Sequence, residues 1–384
     1  MAGKKKAVAT AEKTEKTANV NKLTFATETF KALVGKAYKG VGNNKLLPLT
    51  QLMCIQVKDG KLTIISSDAS GTNYLYAVQN GFSGDFYATV MADQFAKLIE
   101  KLTCDSVTLE IDADKLHITG NGNYTIALQY DEMGNSIQYP DPLSELEETK
   151  KGTEISMSVI TRTLNAVKPS LANEDGVPYL TGYYAGDIIA ATNGDEMSIF
   201  NNEFMKKSSV LIYGIALELL SLSSDDKFTI EKYASGILVF RASDIIVYSH
   251  EMEGIEDYPT DALKSFLATD MPSKCKLSKN ALLQALDRIA LFVGTYDDNA
   301  IKLNFSGKAL EISSLASTGI ESIAYISGDK DGFECMLDLQ SFIKHIKTQS
   351  TDEVEIQFGD DSAIKLVDGD IVQILSLFEN SEAE

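Results

Sequence analysis

One unit recurs three times along the chain, and this limits what the chain can fold into more than any short motif does. The unit is a short amphipathic helix, a charged turn and two alternating strands. It appears as Ala92–Leu102, Asp105-Ser106, Val107–Ile111 and Leu116–Ile118. It returns as Tyr213–Leu222, Asp225-Asp226, Phe228–Glu231 and Ile237–Phe240, and again as Leu339–Thr348, Thr351–Glu353, Val354–Phe358 and Ala363–Leu366. Val107, Phe228 and Val354 are spaced by 121 and 126 residues. A second unit precedes each of these, with helices predicted over Thr27–Gly40, Ser158–Lys168 and Ser278–Leu291. Each is followed by a hairpin: Gln51–Ser67 turning at Asp59-Gly60, Tyr179–Thr192 at Gly186, and Ile301–Ser314 at Gly307. The three glycines are 126 and 121 residues apart. In every copy the strands alternate apolar and polar residues, so one face meets a core and the other meets water, as in antiparallel hairpins.

Two landmarks with one period predict an α+β protein of three similar domains, each with two helices on antiparallel sheets. A repeat of this length is a triplicated domain, since solenoid units run to ~20–50 residues. Breaks containing proline mark the joins: Tyr139-Pro140-Asp141-Pro142 with the acidic run Glu145–Glu148, and Tyr258-Pro259-Thr260 before Met271-Pro272. The expected division is a basic tail over 1–21 and domains over 22–148, 149–271 and 272–384, the last ending in an acidic tail. Residues 1–21 have no aromatic residue and no apolar periodicity, so they read as an extension without a core. Helices this short are marginal alone and must lie on a sheet.

The formal charge is −20, which taken whole argues against a polyanion as partner. Its distribution reverses that reading. The six predicted helices carry Lys31, Lys36, Lys39, Lys97, Lys101, Arg162, Lys168, Lys279, Arg288, Lys344 and Lys347 against only Glu28, Asp93, Glu100, Glu218 and Asp287. The helices are therefore +6, the tail with five lysines and two glutamates is +3, and −29 falls on the remainder. Glutamate is as good a helix former as lysine, so propensity alone does not sort the charges this way. If the helices share a surface, that surface is basic and suits phosphate contact without sequence readout.

The chemistry of catalysis is not in view. Neither Gly35 nor Gly40-Val41-Gly42 is followed by the Lys-Ser or Lys-Thr of a phosphate-binding loop. His117, His250 and His345 occur singly, without a carboxylate and nucleophile in a suggestive pattern. Asp329-Lys330-Asp331-Gly332 lacks the later ligands of a calcium loop and reads as a hairpin turn. Cys54, Cys104, Cys275 and Cys335 form no CxxC pair, which suits buried thiols in a reducing compartment. No apolar run reaches the ~18 residues of a membrane span. A non-enzymatic cytoplasmic protein, with no metal, no cofactor and no membrane partner, is the expectation.

The order and spacing of several segments resemble the bacterial-type DNA sliding clamp, the β subunit of DNA polymerase III, over residues 22–378. They are Leu46-Leu47-Pro48-Leu49 followed by Asp59–Ile64, Ala92–Leu102 running into Val107–Glu110, Tyr179–Gly182 leading to Ala191–Gly194, and Gly254–Tyr258. The resemblance implies a homodimeric ring, head to tail, whose helices line a hole around duplex DNA. It further implies that Leu291 and Phe292 meet Tyr124 and Ile126 of the other subunit at the seam. DNA polymerase and clamp loader would bind an apolar cleft between domains 2 and 3, formed by Leu180, Thr192, Gly194, Met197, Tyr258, Thr260 and Ile374. Here the chain departs from the family, with Asp195-Glu196 where a basic or histidine-containing pair is usual. Host and phage origin both stay open. So does a second function, a clamp-fold adaptor that binds proteins without encircling DNA. Gln373–Phe378 resembles the peptide that clamp partners insert, although its position fits the last strand of the third domain.

Overall fold

The computed structural model describes residues 22–378 apart from 132, 147–150, 174–175, 203, 206–207, 295–298, 330–331 and 361. The basic and acidic tails, Glu147-Glu148 of the acidic run and Lys330-Asp331 of the expected hairpin turn lie outside the described residues. Seven α-helices occur among those residues: α1 (Thr27–Lys39), α2 (Ala92–Glu100), α3 (Met157–Arg162), α4 (Gly214–Leu220), α5 (Thr260–Ala268), α6 (Lys279–Ile289) and α7 (Leu339–Thr348). Hairpins pair antiparallel around them, so the α+β class expected from the alternation is the one found. The chain divides into two compact units, one of residues up to 147 with 244–246 and one of the rest.

In the first unit, strands Lys22–Ala26, Ser106–Asp112, Lys115–Thr119 and Asn123–Ala127 lie side by side in that order. Phe86–Met91, Leu52–Lys58, Lys61–Ser67 and Tyr74–Asn80 form a second row. α1 and α2 are neighbours. α1 buries Phe30, Leu33, Val34 and Ala37, the i, i+3, i+4, i+7 stripe of an amphipathic helix, against Phe95, Ala96 and Ile99 of α2. Phe30 stacks on Phe25 at 4.2 Å and meets Phe95 edge-on at 6.2 Å. Each such ring contributes about 1.5–3 kcal/mol by burial. The first hairpin turns through Asp59 (φ 51°) and Gly60 (φ 79°), the paired positive angles of the tight turn that matches strand twist. Its repeat at Gly186 uses glycine for space instead, because a Cβ there would sit 2.7 Å from Ser209 Oγ and 2.9 Å from the Tyr184 hydroxyl.

The second unit holds a nine-stranded sheet in the order Val210–Tyr213, Gly182–Ala185, Ile189–Thr192, Glu196–Phe200, Ile371–Ser376, Ala363–Asp368, Glu353–Phe358, Ser273–Ser278 and Ser327-Gly328. The strand Glu196–Phe200 comes from the second repeat and Ile371–Ser376 from the third. They pair with Met197 opposite Ile374 and Ser198 opposite Gln373, which fuses the two repeats. Gln373 is fully buried, its Nε2 donating to Ala166 O and Thr348 Oγ1 at 2.8 Å each. The peptide-like stretch 373–376 is thus part of an interior strand. A separate sheet runs Ile320–Ala324, Ala309–Ser314, Ala300–Ser306, Phe333–Asp338. α6 and α7 pack together over Phe305 and Phe358, whose rings stack at 4.1 Å.

Two elements differ from expectation. The helix predicted over Ser158–Lys168 is regular only to Arg162. It widens to a π-turn over Thr163–Val167 and tightens to a 3-10 turn over Lys168–Ser170. Pro169 explains the irregularity, since it has no N–H to donate and crowds the carbonyl four residues back. α5 was not expected, because the prolines that flank it read as a domain join. It forms because Leu263, Phe266 and Leu267 repeat at helical spacing and pack on the apolar cluster of the second unit.

Candidate functional site

The helix cations are positioned by the same stripes that fill the core, since residues between the apolar positions must face outward. Most of them are already engaged. Lys31 meets Glu28 at 3.0 Å, Lys36 meets Asp244 at 2.6 Å, and Lys97 meets Asp93 at 2.7 Å. Lys168 meets Glu218 at 2.5 Å, Arg288 meets Glu321 at 2.6 Å, and Lys344 meets Glu196 at 2.6 Å. Arg162 pairs with Asp370 and lies over the Phe200 ring at 5.0 Å. The Lys97 ammonium and the Tyr38 hydroxyl, both bonded to Asp93, hold that carboxyl below its ordinary range, and Arg288 does the same to Glu321. Lys279 caps the end of α7 through the carbonyls of Lys347 and Gln349. Among the described residues, Lys39, Lys101 and Lys347 are the expected cations left with no ion pair or side-chain hydrogen bond. The +6 of the helices is therefore largely compensated locally, and three lysines carry most of the uncompensated charge.

The four seam residues separate. Tyr124 is exposed on Asn123–Ala127, an edge strand of the first unit, while Ile126 is only 3% exposed and packs in the core beside Leu116, its cross-strand neighbour. Ile126 therefore faces inward, while Tyr124, two residues away on the same face of the strand, remains open to solvent. In the second unit, Leu291 is 82% and Phe292 51% exposed, on the 3-10 turn after α6. The nearby sheet has Ile320–Ala324 as an edge strand, with Ile320 also exposed.

Of the seven cleft residues, Leu180, Met197, Tyr258 and Ile374 meet in one apolar cluster with Leu263 of α5. The Tyr258 hydroxyl donates to Ala190 O at 3.2 Å, and burial raises its pKa well above the usual phenol value. Thr192 Oγ1 donates to Glu196 O at 2.8 Å and accepts from Gly194 N, closing the turn that presents Met197. Gly194 has φ +105°, a conformation that L side chains rarely adopt, so glycine is required there. Thr260 starts α5. Leu180, Thr192, Tyr258 and Ile374 are buried, so the open space lies beside this group rather than within it. A hollow of about 330 Å³ is lined by Asp195, Glu196, Leu337, Asp338, Ser341 and the run Leu375–Phe378.

Behind the hollow is a polar junction that sequence reading missed. His345 is fully buried. Its Nδ1 is 2.8 Å from Ser341 O, so that nitrogen carries the proton, and its Nε2 is 3.0 Å from Ser170 Oγ, which is in turn 2.7 Å from Ser198 Oγ. Burial pushes the imidazole pKa down, against the opposing pull of Glu196, whose Oε2 is 3.1 Å away. Ser170 and Ser198 lie about 150 to 175 residues before His345, and no local pattern announces them. Among the described residues, no cluster of three or more His, Cys, Asp or Glu is arranged to hold a metal, and no helix is long and apolar enough to cross a membrane.

No family model and no curated protein matches the sequence. Solved structures do. The chain is similar to the DNA polymerase sliding clamp of Bacillus subtilis, with TM-score 0.80 and 17% identity over 94% of this chain and 99% of that one. It is similar to the DNA polymerase III subunit beta of Pseudomonas aeruginosa, with TM-score 0.79 and 15% identity over 94% and 100%. A putative DNA polymerase III beta subunit from Eubacterium rectale gives TM-score 0.77 and 19% identity over 93% and 98%. The chain has the DNA-clamp fold of these proteins along nearly its whole length.

Proposed function

We propose that this chain is a DNA sliding clamp, a homodimeric ring that encircles duplex DNA without reading its sequence and tethers a replicative polymerase. The observation that carries the reading is the clamp fold over 94% of the chain. Each protomer supplies three domains, over 22–148, 149–271 and 272–384, and acts in the cytoplasm as a tether rather than an enzyme. Ring closure is head to tail. The edge strand Asn123–Ala127 with Tyr124 meets the edge strand Ile320–Ala324 with Leu291 and Phe292 of a second copy, a heterologous contact that closes after two subunits. Polymerase and clamp loader bind at the apolar group around Met197 and Ile374. The helix cations Lys31, Lys36, Lys39, Lys97, Lys101, Arg162, Lys168, Lys279, Arg288, Lys344 and Lys347 face the DNA, with Lys39, Lys101 and Lys347 in the leading electrostatic role.

Local pairing of seven of those cations supports a weak grip, which suits a ring that holds by topology and slides. The same pairing favours a second reading, a clamp-fold adaptor that binds protein partners only. Retention separates them. A loaded ring stays on closed circular DNA through gel filtration and is lost when the circle is cut, whereas an adaptor elutes apart from DNA in both cases.

A further inference from the structure

We propose that α5 is a displaceable lid, which occupies the partner site until an apolar protein segment takes its place. The inference rests on the partner-binding role given above to the group around Met197 and Ile374, and adds how that site is opened. Cross-strand register places Tyr184, Ala190, Met197, Ile199 and Ile374 on one face of the nine-stranded sheet. α5 packs on that face. Leu263 is fully buried there with Leu180 and Tyr258, and Phe266 and Leu267 lie half-buried beside it. The apolar seat is therefore already filled, and its occupant is a helix of the same chain.

The hold on that helix is slight. Of its nine residues only Leu263 is buried, and Pro259 at its start gives no side-chain cap. Lys264 pairs with Asp187 at 2.7 Å, but both side chains are exposed, and such pairs contribute little. Lys365, buried in the sheet opposite Ile374, donates to Thr269 O just past the end of α5, where a cation meets the negative end of the helix. The ladder of the sheet runs beneath α5 unbroken, so the sheet is complete without it. A helix of this length is marginal alone, and elements with few buried contacts are the ones that open locally. Its root is firmer. The Tyr258 ring stacks on Tyr184 at 5.6 Å and its hydroxyl bonds to Ala190 O, so displacement turns the chain at Pro259 and leaves Tyr258 in place. The irregular residues 270–272 let the other end move. An incoming segment must put apolar side chains where Leu263 was, because polar ones would be buried without partners. Its apparent affinity falls in proportion to the fraction of molecules whose lid is displaced.

The probe is a fluorescein-labelled hexapeptide, Gln-Ile-Leu-Ser-Leu-Phe, the sequence of residues 373–378, added to the full chain. Hydrogen exchange read by mass spectrometry follows α5 directly. Bound peptide is expected to speed exchange of the α5 amides at least about tenfold, while Glu196–Phe200 and Ile371–Ser376 keep their protection. Phe266→Ala combined with Leu267→Ala strips the lid of its grip and leaves the sheet face intact. That variant is expected to bind the peptide at least about tenfold more tightly. Exchange in α5 that is unchanged or slower on binding, a double variant that binds no tighter, or no binding by either protein overturns the proposal. The wild-type exchange needs no substitution, so it decides even where the double variant fails to fold. Retention on circular DNA is measured on the same preparations. Retention with a lid that stays in place overturns this inference alone, and a displaced lid without retention overturns the clamp while upholding the lid.

Discussion

His345 and Ser170, 175 residues apart in sequence, are joined by a 3.0 Å hydrogen bond inside the second unit. The bond ties α7 of the third repeat to the irregular helix of the second, alongside the strand pair that brings Met197 opposite Ile374. The wall of the candidate partner hollow is therefore built on a buried polar contact between two repeats.

That contact makes stability depend on pH. Burial keeps the folded imidazole pKa below its unfolded value of 6.5, so in acid the unfolded chain binds a proton that the folded one resists. The stabilisation is complete above pH 6.5 and declines as pH falls below it. Thermal melts between pH 8 and pH 5 are expected to show the decline, and His345→Gln to reduce its steepness. The same substitution should cost about 1–3 kcal/mol at pH 8 by leaving Ser170 or Ser341 O unsatisfied. An unchanged pH profile in the variant would place the acid sensitivity elsewhere.

Charge pairing predicts unequal effects among the helix lysines. Replacing Lys39, Lys101 and Lys347 together with glutamine should lower the salt dependence of DNA retention by about three counterions per protomer. Replacing Lys31 and Lys97, which are held by Glu28 and Asp93, should change it by less than one each. Retention half-life on nicked circles, measured across salt concentrations, reads both outcomes.

The seam is open to a direct solution test. Phe292→Asp places a charge on an exposed ring flanked by Leu291 and should weaken self-association by about 2–4 kcal/mol, the range of an interface hot spot. Sedimentation should then show monomer at micromolar concentration, where the proposed ring predicts a dimer for the wild type. Ile126→Ala is the informative contrast. Its side chain is in the core of the first unit, so it should lower the melting temperature, at a cost of about 2–5 kcal/mol, more than it changes dimerisation.

Truncation distinguishes strand from free peptide at the end of the chain. Removing everything from Leu375 onward deletes two residues that pair on one side with Glu196 and Asp195 and on the other with Ala363 and Ile364. The second unit should become sensitive to proteases without gaining affinity for partner peptides. A stable truncated protein with stronger peptide binding would mean that the segment acts as an occupant of the cleft.

The periodic parts of the fold were legible because they are local. Asp59-Gly60 and Gly307 show their turns in adjacent residues, and α1 and α7 show their buried stripes within four turns of helix. What escaped depends on distance along the chain. Asp244 is 208 residues from Lys36, and Glu196 is 148 from Lys344, so the compensation of the helix charges has no local sign. α5 lay hidden between prolines that also mark a boundary. The burial of Ile126 was not legible either, because a strand residue can serve a core or an interface with the same pattern.

The interior position of Ile371–Ser376 also governs the order in which the molecule can assemble. Glu196–Phe200 leaves the ribosome about 170 residues before its partner, an interval of roughly ten to thirty seconds at ~5–20 residues per second. Throughout that time half of the nine-stranded sheet has an unpaired edge, the kind of surface that invites pairing with another chain. The first unit's paired sheets contain none of these late residues, so its strands can close while the second still waits. During synthesis one sheet therefore waits half complete until its last strand emerges.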